Sequence, residues 1–348
     1  MVKLKARLTS KEVGEQSLRR FGISSAFIFL ILLALIVIFS ILEGGAFLSG
    51  KNFMNIAVDA SELLLMAVGM TFVIITAGID LSVGATLVLS SVVAANTMVA
   101  LSGTPQQVHH HIYPHQNVAI PVGILVGLAV GVVCGLINGL VITRLKLTPF
   151  IATLGTLGLF LGTAQILSGG VNVPYVPPAI QSQIGTRDLF GVLPVPIAVA
   201  IVVVVIAALA LRQTRFGRYT YTIGSSTEAA RKVGINVERH LLKVYVLSGF
   251  LSGLAGIIDL ARFNTASPGT HTLDNLNVIS AVVIGGASLF GGIGSILGSV
   301  VGTFIPAVLQ NGFIIEGVQA FWQQATIGVI LILAVYIDQR RKSAEERS

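Results

Sequence analysis

Ten nearly uninterrupted apolar stretches divide the chain, near 22–42, 55–77, 82–101, 119–142, 150–168, 193–211, 244–262, 278–290, 296–313 and 320–337. A helix of about 20 residues crosses a bilayer. The pattern therefore predicts an all-α polytopic membrane protein of about ten transmembrane helices, forming one domain over 21–338. The block at 278–290 is short and glycine-rich, which predicts a broken or tilted span. The stretch from Val73, VIITAGIDLSVGATLVLSSVV, is echoed from Val282 by VVIGGASLFGGIGSILGSVVG. That echo suggests two related five-helix halves.

Composition agrees: 54% of residues are hydrophobic, 11% charged, and the mean hydropathy is +0.88. A net charge of +7 follows from the positive-inside rule and needs no nucleic acid as partner. Six Lys/Arg fall in 1–20, two at Arg144 and Lys146, seven in 212–243 and four after Asp338. Ten spans with both termini cytoplasmic, 1–20 and 339–348 included, put 19 of the 22 on one side and leave Lys51, Arg187 and Arg262 on the other. The first apolar block is too long for a signal-peptide core and reads as an uncleaved span. A lone cysteine, Cys134, excludes a disulfide framework.

The loop 212–243 is polar between two blocks of spanning length. Ser225-Ser226-Thr227-Glu228 reads as a capped helix start, with Glu228 closing a capping box. About two turns follow through Ala229, Ala230 and Arg231 to a stop at Gly234. A short helix in a basic loop suits docking of a soluble partner, with small Ala230 on the contact face.

Gly123, Gly127, Gly131, Gly135 and Gly139 recur every four residues and make one bare helix face; Gly294, Gly298 and Gly302 repeat the spacing. Close helix packing outweighs substrate contact as the reason. In Gly78-Ile79-Asp80-Leu81-Ser82-Val83-Gly84 a carboxylate stands between apolar stretches. Intramembrane carboxylates default to function. Capping of the next helix is the preferred reading here, with any part in transport arising through the geometry the cap fixes. Asp59 with Glu62, and Asp259 with Arg262, read as ordinary solvated span ends. Asn96, Asn138, Thr163, Gln165, Gln310 and Asn311 lie inside spans. They would serve interhelical hydrogen bonding or line a path for a hydroxylated solute, with Asn138, Thr163, Gln165 and Asn311 the path candidates.

His109, His110, His111 and His115 share one outer loop without Cys or a nearby carboxylate, so no metal site is expected. His240 and His271 read as loop residues, and no Ser/His pair on neighbouring spans points to a catalytic site. No G-x-x-x-x-G-K-[ST] occurs, so the chain binds no ATP through a P-loop. Few ionisable residues lie deep in the spans, which argues against a carboxylate-relay secondary carrier.

Gly69-Met70-Thr71-Phe72-Val73-Ile74 leading to Gly78–Gly84 resembles the signature of permease subunits of ribose/xylose-type ABC importers. So do Asn138-Gly139-Leu140 with Thr148–Gly155, Phe216–Tyr219 through Glu228–Arg231 to Asn236, and Ala281–Gly286 with Ser288–Gly292. The resemblance implies a non-catalytic permease subunit in the bacterial inner membrane, moving a pentose or hexose. It also implies a second permease subunit, identical or not, an extracytoplasmic sugar-binding protein, and a cytoplasmic ATPase that holds ATP and Mg. Loop 212–243 would be the coupling segment. Related permeases for branched-chain amino acids, nucleosides or a signalling sugar derivative are the nearest alternatives. The family often has a Gly-Tyr-Glu-Leu-like run before the late glycine motif, where this chain reads His271-Thr272-Leu273-Asp274.

Overall fold

The computed structural model describes residues 28–271, 273–319, 322–323, 325–329, 332–333 and 335–336. The segment 1–20, the tail 339–348 and part of the block at 320–337 lie outside them. The described chain is an all-α polytopic membrane protein. Among the described residues seven helices are long and apolar enough to span: α2 (Gly50–Ile75), α3 (Val83–Ser102), α5 (Gln116–Thr143), α6 (Pro149–Ser168), α7 (Val195–Gln213), α10 (Val237–Phe263) and α12 (Ile296–Ile315). Two shorter apolar helices, α1 (Ile28–Glu43) and α11 (Asp274–Ile284), occupy the first and eighth apolar blocks. Short helices α4 (Pro105–His109), α8 (Arg215–Ser225) and α9 (Thr227–Lys232), a π-helical turn (Gln181–Gly185) and a hairpin of β1 (Asp188–Leu189) and β2 (Leu193–Pro194) lie in the connections.

α2, α3 and α10 form the centre. α2 is buried almost continuously from Leu64 to Ile75, whereas α6 and α7 show Ile151, Leu159, Ile166, Ile206 and Leu209 at the surface. Helices that expose a largely apolar face suit lipid contact. α5 lies against α10 along its glycine face. A Cβ on Gly131 would stand 2.5 Å from the Gly249 carbonyl and 2.9 Å from Gly253 Cα, and one on Gly135 would stand 2.8 Å from Val246 Cα. Gly123 and Gly127 meet Met98 and Ala94 of α3, and Gly139 meets Leu242. Backbones this close gain dispersion contacts that bulkier side chains would prevent.

Both sequence echoes fold as a helix, a break and a second helix: α2 stops at Ile75 before α3, and α11 stops at Ile284 before α12. The breaks touch, with the Gly292 N–H donating to the Ile75 carbonyl at 2.9 Å. α8 joins them: Gly224 sits so tightly on the Ile75 carbonyl that a Cβ there would overlap it, and Tyr221 donates its hydroxyl to the Gly294 carbonyl at 2.7 Å.

Three expectations need correction. α8 runs through Ser225, so the cap of α9 is Ser226, whose Oγ accepts from Ala229 N–H at 3.2 Å. Glu228, one position too early to close a capping box, pairs instead with Lys232 at 2.7 Å. Ala230 is fully buried against Ile223 and Val237, so it anchors α9 to its own chain rather than presenting a contact face. His240 is on α10, not in a loop, buried at 2.9 Å from Thr220 Oγ1.

Gly131→Leu should cost at least about 1–3 kcal/mol by forcing α5 off α10. Thermal unfolding in detergent would show it, and a melting curve like the wild type's would mean that the helices part without penalty.

Candidate functional site

Four helices meet at one buried polar cluster. Asp80, 1% exposed, follows the break after α2. Its Oδ1 accepts from the Ser82 N–H at 3.0 Å and the Ser82 hydroxyl at 2.7 Å, and its Oδ2 accepts from Ser248 Oγ of α10 at 2.9 Å. Asn138 of α5 donates to Ser82 Oγ at 2.7 Å and lies 3.5 Å from Asp80 Oδ1. Thr156 of α6 donates to Asn138 Oδ1 at 2.6 Å. Thr153 and Tyr245 both donate to the Ile79 carbonyl, at 3.2 and 3.4 Å. An ionised carboxylate buried this deeply is tolerated only with such donors around it.

Asp80 therefore accepts a single backbone N–H, that of Ser82, and spends its other lone pairs on side chains. Its cap at the start of α3 is partial, and its larger part is to tie α3, α5 and α10 together. Gly78 permits the turn to approach Tyr245, whose hydroxyl a Cβ would meet at 2.7 Å. Gly84 faces the His271 carbonyl, 2.5 Å from where its Cβ would be.

The other path candidates do not join this cluster. Thr163 Oγ1 donates to its own helix at Leu159 O, and Gln165 is exposed on α6. Asn311 exchanges a reciprocal pair of hydrogen bonds with Asn52 of α2, at 2.9 and 3.0 Å. Ser248, Thr156 and Tyr245 were not singled out in the sequence. Among them Ser248 carried a faint signal, standing with Ser252 among the glycines of α10.

At the other end of the bundle the acidic and basic span ends are paired rather than solvated. Arg262 of α10 reaches Glu62 of α2 at 2.6 Å and also bonds Asp59. Glu62 and Asp259 are buried, at 7% and 4% exposure. His271 bridges Asp259 at 3.0 Å and Asp274 at 2.6 Å. Burial opposes charge on that imidazole, but hydrogen bonds from its ring N–H groups to Asp259 and Asp274 outweigh it and push its pKa up to about 11. In the connection between α3 and α5 the rings of His109 and His111 lie 4.6 and 5.6 Å from that of Tyr175. No group of three or more His, Cys, Asp or Glu is set to hold a metal ion among the described residues.

The basic loop presents a different surface. Around buried Ala230, the side chains of Glu228, Ala229, Arg231, Lys232 and Val233 are exposed, Val233 at 71%. Arg231 is held to Glu238 at 2.6 Å, which fixes α9 against the start of α10. Gly234, with φ +82°, makes the left-handed stop between them.

Residues 52–335 match the family model described as branched-chain amino acid transport system / permease component. The chain is 39% identical over 316 residues to a ribose import permease protein of Bacillus subtilis, covering 91% of this chain and 92% of the relative. A galactose/methyl galactoside import permease protein of Haemophilus influenzae is 34% identical over 320 residues, 90% and 92% of the two chains. A fructose import permease protein of Rhizobium meliloti is 35% identical over 334 residues, 93% and 88%. No solved structure matches the chain.

Asp80→Ala would strand the donors on Ser82, Ser248 and Asn138, at about 1–3 kcal/mol for each group left unpaired. The expected outcome is a large fall in melting temperature and in yield of folded protein. Asp80→Asn, which keeps the shape and the acceptor oxygen, should fall less. Equal melting of Asp80→Ala and wild type would show that the cluster does not hold the four helices.

Proposed function

Because the chain belongs to the family of branched-chain amino acid transport system permease components, we propose that it is the membrane-spanning subunit of an ATP-driven importer for a monosaccharide. The observation that carries this reading is likeness along about nine tenths of the chain to import permeases for ribose, galactose and fructose. The chain lacks a P-loop, so ATP binding and hydrolysis fall to a separate cytoplasmic ATPase and the permease itself is non-catalytic. A second permease subunit and an extracytoplasmic sugar-binding protein complete the importer, in the plasma membrane of a bacterium.

Charge sets the orientation. Arg144, Lys146 and the seven basic residues of 212–243 belong to connections at the end of the bundle where α5, α7 and α10 meet the basic loop, and Lys146 is close enough to Glu238 to act on its charge. That end is cytoplasmic by the positive-inside rule. Lys51, Arg187 and Arg262 then lie at the outer end.

α9 is the docking element for the ATPase, through Val233, Ala229 and the charged residues beside them. Ala230 makes the short helix rigid with α8 and α10. A push on α9 passes through Gly224 to the Ile75 carbonyl and to Gly292, where both helix breaks meet. Breaks are where spans can change direction without losing internal hydrogen bonds along the rest of their length. The ATPase cycle thus has a short route to the elements that would alternate access.

Reconstituted with its ATPase and binding protein, the permease should show ATP hydrolysis stimulated by one pentose or hexose from a panel, with leucine and a nucleoside as comparators. Stimulation by leucine alone would reassign the substrate. Uptake driven by an ion gradient without the ATPase would replace the importer reading with a secondary carrier. Val233→Glu should lower ATPase recovery in a detergent pull-down by about tenfold or more, as for an exposed apolar anchor at an interface, while membrane insertion stays intact. Undiminished recovery would show that α9 is not the docking element.

A further inference from the structure

α5 has two unlike faces. Its glycines are covered by α10 and α3, whereas Val118, Leu125 and Val133 on the opposite side are 63, 66 and 50% exposed. An apolar face left open over most of a spanning helix is a face for lipid. At the end of the bundle away from loop 212–243, the flank of that face and the π-helical turn Gln181–Gly185 enclose a groove of about 420 Å³. That is the size of a pocket for a small molecule. Both walls are fixed. Gly185 rests so closely on α10 that a Cβ there would overlap the Ala261 carbonyl, and Gln181 Nε2 donates to the Arg262 carbonyl at 2.8 Å. On the other side Gly123 and Gly127 seat α5 on α3.

Polarity in the groove is sorted by depth. Gln116 and Asn117 of α5 and Gln183 of the turn stand at its mouth, and among the described residues their side-chain amides are not engaged by another residue. Ile120, Ile124 and Leu125 continue inward, and Leu125 lies about 13 Å along the helix from Gln116. No charged residue lines the groove. Pro121, in the second turn of α5, adds one more feature. Proline has no N–H, so the Asn117 carbonyl lacks the donor that a helix supplies four residues on. Asn117 and Pro121 both line the groove, which therefore borders a backbone acceptor in need of a partner. Shortly beyond Ile184 the hairpin of β1 and β2 leaves Phe190 98% exposed at its tip. Exposed aromatic side chains at the end of a span suit the level of lipid headgroups.

We propose that this groove holds one phospholipid with a primary ammonium headgroup, of the phosphatidylethanolamine class, as a resident ligand of the permease. The ammonium donates to the Asn117 carbonyl, and the phosphate accepts from the side-chain amides of Gln116 and Gln183. One acyl chain follows Ile120, Ile124 and Leu125 toward the middle of the bilayer. A headgroup without net charge suits walls without charge, whereas an anionic headgroup would bring a charge that no cation in the groove meets. The groove opens onto the lipid-facing side of α5, so the ligand enters without leaving the bilayer. There it joins α5 to the connection between α6 and α7. The inference requires only that the chain spans a membrane and is independent of the transported substrate.

The test uses the full-length permease, with the subunits that copurify, stripped of lipid in detergent. Synthetic phosphatidylethanolamine or phosphatidylglycerol is then offered at equal concentration, and native mass spectrometry counts lipids and chains together. The wild type should keep one phosphatidylethanolamine per chain and retain phosphatidylglycerol roughly tenfold less, as for loss of a hydrogen bond to a charged group. Pro121→Ala supplies the missing N–H to the Asn117 carbonyl and should erase that preference while the protein stays folded. Ile124→Trp fills the groove and should abolish retention of both lipids. Val133→Trp, on the open face beyond the groove, should behave as the wild type.

Equal retention of the two lipids by the wild type overturns the proposal. So does an unchanged preference in Pro121→Ala, which decides the matter if Ile124→Trp does not accumulate. A wild type that keeps no lipid, but whose copies separate on Ile124→Trp, would make the groove an interface between permeases and overturn the proposal as well.

Discussion

The close approach of the α5 and α10 backbones is the contact on which the other features rest. Apolar helices gain nothing from leaving lipid for one another except through packing and polar contacts. The stripe from Gly123 to Gly139 brings the α5 axis near enough to α10 and α3 for Asn138 to reach Ser82. Without that approach the carboxylate of Asp80 would sit among apolar side chains with fewer donors. Packing by small residues and satisfaction of a buried charge are therefore one arrangement seen from two sides.

Charge is distributed over the fold in three distinct ways. Asp80 is held by the hydroxyls of Ser82 and Ser248, with the Asn138 amide on Ser82, where four helices meet. At one end Arg262 and His271 each sit between two carboxylates and so join α2, α10 and α11. At the other end, around the loop 212–243, most basic residues remain exposed and α9 is held mainly by apolar contacts around Ala230. The ends of the molecule are thus built on opposite principles: paired charge on one, solvated charge over a small apolar hinge on the other.

Much of this architecture was legible in the sequence. Span positions follow from apolar length, the break before α12 from the glycines of 285–294, and the approach of α5 from its four-residue period. Partnerships across the bundle were not legible. Asp80 and Ser248 are 168 residues apart and Arg262 and Glu62 are 200 apart, and no local pattern in a single sequence reports such pairings. Local chemistry also misled by a single position at α9. Two adjacent serines both fit a cap, and only the extent of α8 decides between them. Ala230 looked suited to a partner because it is small, yet the same property lets α9 lie flat on α8. The run His271-Thr272-Leu273-Asp274, where a Gly-Tyr-Glu-Leu-like run is often found in the family, marked the region around His271 without revealing its two carboxylates.

The distance along the chain between Asp80 and Ser248 also bears on how the protein is made. At about 5–20 residues per second of synthesis, Ser248 follows Asp80 out of the ribosome roughly ten to thirty seconds later. For that interval α2 and α3 exist without α10, and the carboxylate has no buried donor from it. The early helices must then wait in a place where water or the insertion machinery serves Asp80, and the centre of the bundle can close only when α10 arrives. The most buried part of the molecule is among the first synthesised and among the last to be assembled.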